Sequence, residues 1–255
     1  MKKKDWRDNV TFILVEPKES GNIGAAARAI KNMGFRSLRL VKPPEVISDE
    51  AGWFAHNATD VLERAESHPD LASSIADCGL VAGTSRRTGK KRGVFLSVDE
   101  GSRRLRAFAE NNRVAVLFGR ESRGLFNEEV EECGFLMKIP SAPSQPSLNL
   151  GQAVLIVAYE MMRCGYGRES SSEERLPGVL VAHRDLDSLY RRVREALKIL
   201  GYIPRGDHDL EQKIMQNLGH FIGRAGLAEW ELNMLHGIIS QVELVCAGKS
   251  GRKDK

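Results

Sequence analysis

Five short apolar runs, at 11–15, 37–41, 80–83, 114–118 and 135–139, are separated by stretches with helical periodicity, and this alternation constrains the chain more than anything else in it. The runs are rich in Val, Ile, Leu and Phe and are too short to be helices, so they read as strands buried on both faces. Strands that alternate with helices form a parallel sheet covered on both sides. In such a sheet ligands sit beyond the carboxyl ends of the strands. The loops after residues 15, 83, 118 and 139 are therefore where chemistry is expected.

The intervening helices have recognisable ends. Residues 22–33 are Ala-rich and stop at Gly34, a residue suited to a left-handed C-terminal turn. Segments rich in Ala and Glu fill roughly 50–76, and amphipathic helices are expected at 98–110 and about 127–132. After Pro140, Pro143 and Pro146 the apolar positions 150, 153, 154, 157, 158 and 161 mark a helix with a broad buried face, with Ser147 or Asn149 as its N-cap. Beyond Arg163 the composition shifts to Gly, Ser and charge, which predicts a linker over 166–182. Three further amphipathic helices follow within 183–247, the first ending at Gly201, and 248–255 reads as a basic, disordered tail.

Composition narrows the class. The net charge is +4, and Cys78, Cys133, Cys164 and Cys246 are scattered with no C-x-x-C pair, which implies reduced thiols and no structural zinc. The six His residues lack metal-binding spacing, so no metal is expected. No run approaches the roughly 20 apolar residues needed to span a bilayer, and no signal-peptide core follows the basic start. A cytoplasmic protein is expected.

Each candidate loop excludes a familiar site. Gly21 and Gly24 open the helix after the first strand, where free amides suit an anion, but the G-x-G-x-x-G spacing is absent and Lys42 stands near the place of a ribose-binding acid. Residues 83–93 imitate a P-loop, yet the spacing is long and Lys91 replaces Ser or Thr. Five of the eight residues from Arg86 to Gly93 are basic, which suits contact with an RNA backbone through Arg86, Arg87, Lys90, Lys91 and Arg92. The turn F-G-R-E-S-R-G-L misses the serine-hydrolase elbow by one residue. There Glu121 lies between Arg120 and Arg123, which should keep its carboxylate ionised.

The segments N-I-G-A-A-A-R-A (22–29), L-F-G-R-E-S-R-G-L (117–125) and I-P…P-S-L-N-L-G-Q-A-V (139–154) together resemble the three motifs of the SpoU branch of the SPOUT RNA methyltransferases. The helical segment 218–239 is similar to the C-terminal extension of TrmJ-type tRNA methyltransferases. The resemblance implies an α/β fold: a parallel sheet flanked by helices with a C-terminal deep trefoil knot over residues 1–165, and a small all-helical extension. It implies S-adenosylmethionine as cofactor, held by Thr84, Ser85, Gly119, Ile139, Ser147 and Leu148. It also implies a reaction centre of Asn22, Arg28, Glu121, Ser147 and Asn149, placed at the interface of a homodimer. The reaction implied is methyl transfer to a ribose 2′-hydroxyl of RNA, with a pyrimidine nucleotide of the tRNA anticodon loop as acceptor. A guanidinium is a poor base at neutral pH, so Arg28 is expected to pin a phosphate and stabilise a developing alkoxide. The rival readings are a ribosomal RNA 2′-O-methyltransferase and an RNA-binding protein that kept the fold without turnover.

Overall fold

The computed structural model describes residues 5–45, 48–87, 93–164, 178–203 and 208–250. Seven strands form one parallel sheet: β1 (Val10–Val15), β2 (Ser37–Val41), β3 (Glu66–His68), β4 (Leu80–Thr84), β5 (Phe95–Ser97), β6 (Val114–Phe118) and β7 (Phe135–Lys138). Their spatial order is β3-β2-β1-β6-β4-β7-β5. All five expected strands are present and central. The two additions, β3 and β5, are edge strands of three residues each. Glu66-Ser67-His68 is largely solvated, so no apolar pattern announces it.

Every residue of β1 and β6 is buried, because helices cover both faces. Alternate residues face opposite ways. Phe12 and Leu14 join one core with α1 (Ser20–Asn32), and Ile13 and Val15 join another. The region 50–76 is not continuously helical. It breaks into α2 (Asp49–Ala55), α3 (Thr59–Glu63), β3 and α4 (Leu71–Ile75). The first core is completed by α5 (Val98–Ala109) and α7 (Leu150–Arg163), and the second by α4 and α6 (Asn127–Glu131). Gly34 takes φ 80° just after α1, and its amide bonds back to the Lys31 carbonyl, so the expected left-handed stop is present.

The C-terminal helices are α8 (His183–Ile199), α9 (His208–Ala225) and α10 (Glu229–Ser250), with a core of Leu186, Leu189, Ala196, Ile222 and Ile239. Gly201 takes φ 71° beyond α8. The helix α10 runs to Ser250, so the first residues of the expected tail are helical. Residues 178–182, inside the expected linker, are tied to the sheet body: Leu180 N donates to Asn112 Oδ1 at 2.7 Å, and Asn112 Nδ2 donates to the Gly178 carbonyl at 3.1 Å. The helical unit also docks through glycine. A Cβ on Gly134 would lie 1.9 Å from the Gly223 carbonyl oxygen, so the two backbones touch where no side chain fits.

Candidate active site

The site begins at the turn after β6. A Cβ on Gly119 would lie 2.1 Å from the carbonyl carbon of Gly124, and Gly124 itself has φ 65°. The Gly124 amide donates to the Arg120 carbonyl at 2.8 Å, which closes the turn. Arg120 is buried, pairing with Glu16 at 2.7 Å and Glu129 at 2.9 Å above the ring of Phe126. Burial alone would lower its pKa, but the hydrogen bonds it donates to Glu16 and Glu129 outweigh that and raise it. Glu16 is correspondingly held below the usual carboxylate range by Arg120.

Glu121, next in the chain, faces the start of α1. Its carboxylate accepts from the amides of Lys18 (3.2 Å) and Glu19 (3.3 Å) and from Asn22 Nδ2 (3.0 Å). Burial pushes its pKa up, yet these donors prevail and hold it below the usual value. Glu121 is thus ionised as expected, but the cause lies in Asn22 and the backbone amides of Glu121 itself, Glu19 and Lys18 rather than in Arg120 and Arg123. The anion expected near the start of α1 is supplied from within the chain. Gly21 and Gly24 serve packing instead, since a Cβ on Gly24 would lie 2.1 Å from the Ala51 carbonyl oxygen of α2.

Asn149 caps α7, its Oδ1 accepting from the amides of Gly151 (2.9 Å) and Gln152 (3.3 Å). Its Nδ2 donates to Asn22 Oδ1 at 2.7 Å. Asn22 therefore spans Asn149 and Glu121, and one continuous hydrogen-bonded row joins three segments distant in sequence. Gly151 makes the approach of α7 to α1 possible: a Cβ there would lie 2.7 Å from that of Ala25.

Beside this row lies a cleft walled by the loops after β4, β6 and β7. Thr84, Ser85, Gly119, Ile139, Ser147 and Leu148 all line it, as does Glu121. Phe118, Leu125 and Met137 add apolar surface that sequence reasoning did not single out. Thr84 Oγ1 donates to the Leu117 carbonyl at 3.1 Å, which ties two walls together. Arg86 and Arg87 are exposed at the cleft's edge, whereas Lys90, Lys91 and Arg92 fall outside the described residues. Ser147 is exposed on the rim.

Arg28 stands apart. It is exposed on α1 and, among the described residues, makes no hydrogen bond or ion pair. Six residues separate it from Asn22, which is about 9 Å along the axis and a third of a turn around it. Within one chain the structure joins Asn22, Glu121 and Asn149 but leaves Arg28 outside their row.

A larger cavity, about 460 Å³, separates the sheet body from α8 and α9. None of the motif residues lines it. Among the described residues no helix is long and apolar enough to cross a membrane, and no group of three or more His, Cys, Asp or Glu is placed to hold a metal ion.

A parallel sheet whose strand-end loops gather these motifs around one cleft defines a methylase of the SpoU type. The chain belongs to the SpoU rRNA Methylase family, whose profile matches residues 9–159. Over 96% of its length it is 33% identical to the tRNA (cytidine/uridine/adenosine-2′-O-)-methyltransferase TrmJ of Pseudomonas aeruginosa, covering 98% of that protein. It is 35% identical to the tRNA (cytidine/uridine-2′-O-)-methyltransferase TrmJ of Photorhabdus laumondii, covering 92% of this chain and 97% of that one. The crystal structure of TrmJ from Z. mobilis superimposes with a TM-score of 0.75 at 28% identity over 91% of this chain and 98% of the other. A probable methylase family protein from Haemophilus influenzae gives 0.60 at 30% identity, over 95% and 99%.

Proposed function

We propose that this chain transfers a methyl group from S-adenosylmethionine to a ribose 2′-hydroxyl of RNA, and that its acceptor is a pyrimidine nucleotide in the anticodon loop of tRNA. The observation that carries the reading is the Asn149–Asn22–Glu121 row beside a cleft lined by all six residues expected to hold the cofactor. The choice of tRNA over ribosomal RNA rests on the C-terminal helices. The family profile ends at residue 159, whereas the tRNA-modifying relatives match 92% or more of the chain.

The cleft suits the cofactor chemically. Ile139, Leu148 and Met137 offer apolar surface to an adenine and a thioether, Thr84 and Ser85 offer hydroxyls, and ionised Glu121 is opposite in charge to a sulfonium. Bound there, the sulfonium supplies an activated methyl group. What remains for the protein is alignment and charge. Asn22 and Asn149 hold each other's amides fixed and orient the ribose. Arg28 pins the adjacent phosphate and stabilises the developing alkoxide, while Arg86, Arg87 and the basic residues after them hold RNA backbone.

The same reading makes the enzyme a homodimer with the site at the subunit interface. Leu155 and Tyr159 are exposed on α7, four and eight residues beyond the Gly151 that touches α1. They continue the row of a helix whose other faces are buried, and exposed Arg28 stands on the neighbouring helix. A second copy on this surface covers the apolar row and brings its own Arg28 to the reaction centre. The knot belongs to this reading too: β7, late in the chain, inserts between β4 and β5 before the proline loop returns to α7. We take 1–165 as the catalytic unit and 183–247 as the helical extension.

The test is transfer of labelled methyl groups to unmodified tRNA transcripts and to ribosomal RNA, followed by mapping of 2′-O-methyl positions. Label in an anticodon-loop pyrimidine, lost when that nucleotide is 2′-deoxy, is the expected result. Label in ribosomal RNA alone reassigns the substrate, and no label in either removes the activity.

A further inference from the structure

The short helix α2 is built inside out. Ala51 and Ala55, four residues apart, are its buried side, while Trp53 is 75% exposed and Phe54 51% exposed. An ordinary surface helix buries its large apolar side chains and shows its small or polar ones. Leaving an indole and a phenyl ring in water forgoes the main stabilisation such residues can give a fold.

Their placement supplies a reason. Phe54 lies over Gly21, the residue preceding Asn22: a Cβ on Gly21 would meet the Phe54 ring at 3.1 Å. The helix is fixed to α1 by two further contacts. The Gly24 and Ala51 backbones touch, and Ser48 N donates to Ser20 Oγ at 3.1 Å. Phe54 is therefore held beside the first turn of α1, the turn that carries the central amide of the reaction centre, and Trp53, next to it in the chain, stands on the exposed side of α2. Charge restricts the occupant. Glu50 Oε1 lies beside the same ring, 3.1 Å from where a Cβ of Gly21 would be. A carboxylate there repels a phosphate and tolerates the edge and face of a base.

We infer that Trp53 and Phe54 form a stacking platform for a nucleobase of the RNA segment that carries the acceptor ribose. The inference rests on the RNA-methylating reading above, and it adds residues that none of the three motifs contains. A single-stranded loop presents unstacked bases to aromatic side chains. A base held on this platform fixes its own ribose, or the next one, at Asn22 and Asn149. Trp53 and Phe54 are thus positioning residues for the acceptor and do not touch the reacting atoms.

The experiment uses the full-length protein with Trp53→Ala, Trp53→Phe and Phe54→Ala, an unmodified tRNA transcript, and three readouts. These are steady-state methylation, transcript binding by gel shift without cofactor, and molar mass by light scattering. Trp53→Ala is expected to raise KM for tRNA and weaken the gel shift by about tenfold, the order of one lost base–aromatic stack. The KM for S-adenosylmethionine and the molar mass should stay unchanged. Trp53→Phe should recover most of the loss, because a phenyl ring still stacks. An active Trp53→Ala protein with wild-type KM and gel shift overturns the platform. A fall in molar mass also overturns it, by assigning the pair to a contact between proteins. Trp53-dependent binding by a protein that transfers no methyl group would support the platform while removing the proposed activity.

Discussion

Asn22 donates to Glu121 across 3.0 Å although the two residues are 99 positions apart. The bond makes Glu121 the fixed end of the row that orients Asn149, and the carboxylate is ionised because donors surround it. Glu121→Gln keeps the size but turns an acceptor into a group that must also donate, against the amides of Lys18, Glu19 and Asn22. The expected result is a fall in kcat of about 10²-fold, in the range lost when one preorganised polar contact is removed. Its pH dependence has a defined sign. The folded pKa lies below the ordinary 4.5, so the contribution of Glu121 is complete above that pH and is lost only as pH falls through the lowered value. A rate profile of the wild type that shows no Glu121 limb between pH 5 and 8 agrees with this; a carboxylate limb near pH 6 contradicts it.

Asn149 does two things that one substitution can separate. Its Oδ1 caps α7 and its Nδ2 holds Asn22. Asn149→Ala loses both and should cost about 1 kcal/mol of stability through the cap as well as activity. Asn149→Asp keeps a capping oxygen at the helix N-terminus but presents a carboxylate to Asn22 Oδ1, where a donor is needed. It should melt within a degree or two of wild type and transfer methyl groups far more slowly. Thermal unfolding beside single-turnover rates decides the matter: an active Asn149→Asp enzyme would show that capping is the whole role.

How much of this was legible in the sequence depends on whether the signal was local. The five central strands could be read because each is a continuous apolar run, and Gly34 and Gly201 could be read because a left-handed turn requires a residue without a Cβ. The edge strand β3 could not, because Glu66 and Ser67 carry no burial pattern, and the break of 50–76 into short pieces was hidden by good helix formers. The same limit applies to the site. The three motifs supply its residues, yet the ion pair between Arg120 and Glu16 joins the ends of β6 and β1, whose adjacency no local pattern reveals. For that reason the sequence points to the flanking Arg120 and Arg123 for the ionisation of Glu121, whereas Asn22 and backbone amides cause it. Asn149 is one of two caps allowed by composition, and the Gly151 and Gln152 amides on its Oδ1 decide it.

The turn after β6 gives a prediction about space. Gly119→Ala places a methyl group 2.1 Å from the carbonyl carbon of Gly124, and both contacting groups are backbone. The turn must open, which costs about 3 kcal/mol or more, the upper range for overpacking a tight site. Because the same turn aims Arg120 inward and Glu121 outward, cofactor affinity should fall together with stability. Denaturant unfolding and calorimetric titration with S-adenosylmethionine both report it, and a Gly119→Ala protein with wild-type values in the two would mean that the turn adapts freely.

A second ionic group, remote from the cleft, gives a prediction about acid stability. Arg39 is buried in β2 and bonds Asp77 at 2.7 Å, with Arg113 on the same carboxylate at 2.6 Å. The hydrogen bond from Arg39 is the main cause that holds Asp77 far below the ordinary 3.8, with burial opposing it. Next to it, burial pushes the Cys78 thiol up to about 12, so this cysteine stays unreactive while the fold is intact. Asp77→Asn leaves Arg39 buried with a weakened partner and should cost about 3 kcal/mol at neutral pH. A depressed carboxylate pKa means that this stabilisation is present above pH 3.8 and is lost as pH falls through the folded value. The stability difference between wild type and Asp77→Asn should therefore be constant from pH 8 to 5 and shrink below pH 4. Urea unfolding across that range measures it, and a difference that persists undiminished at pH 2.5 would mean that the Asp77 contribution is not ionic.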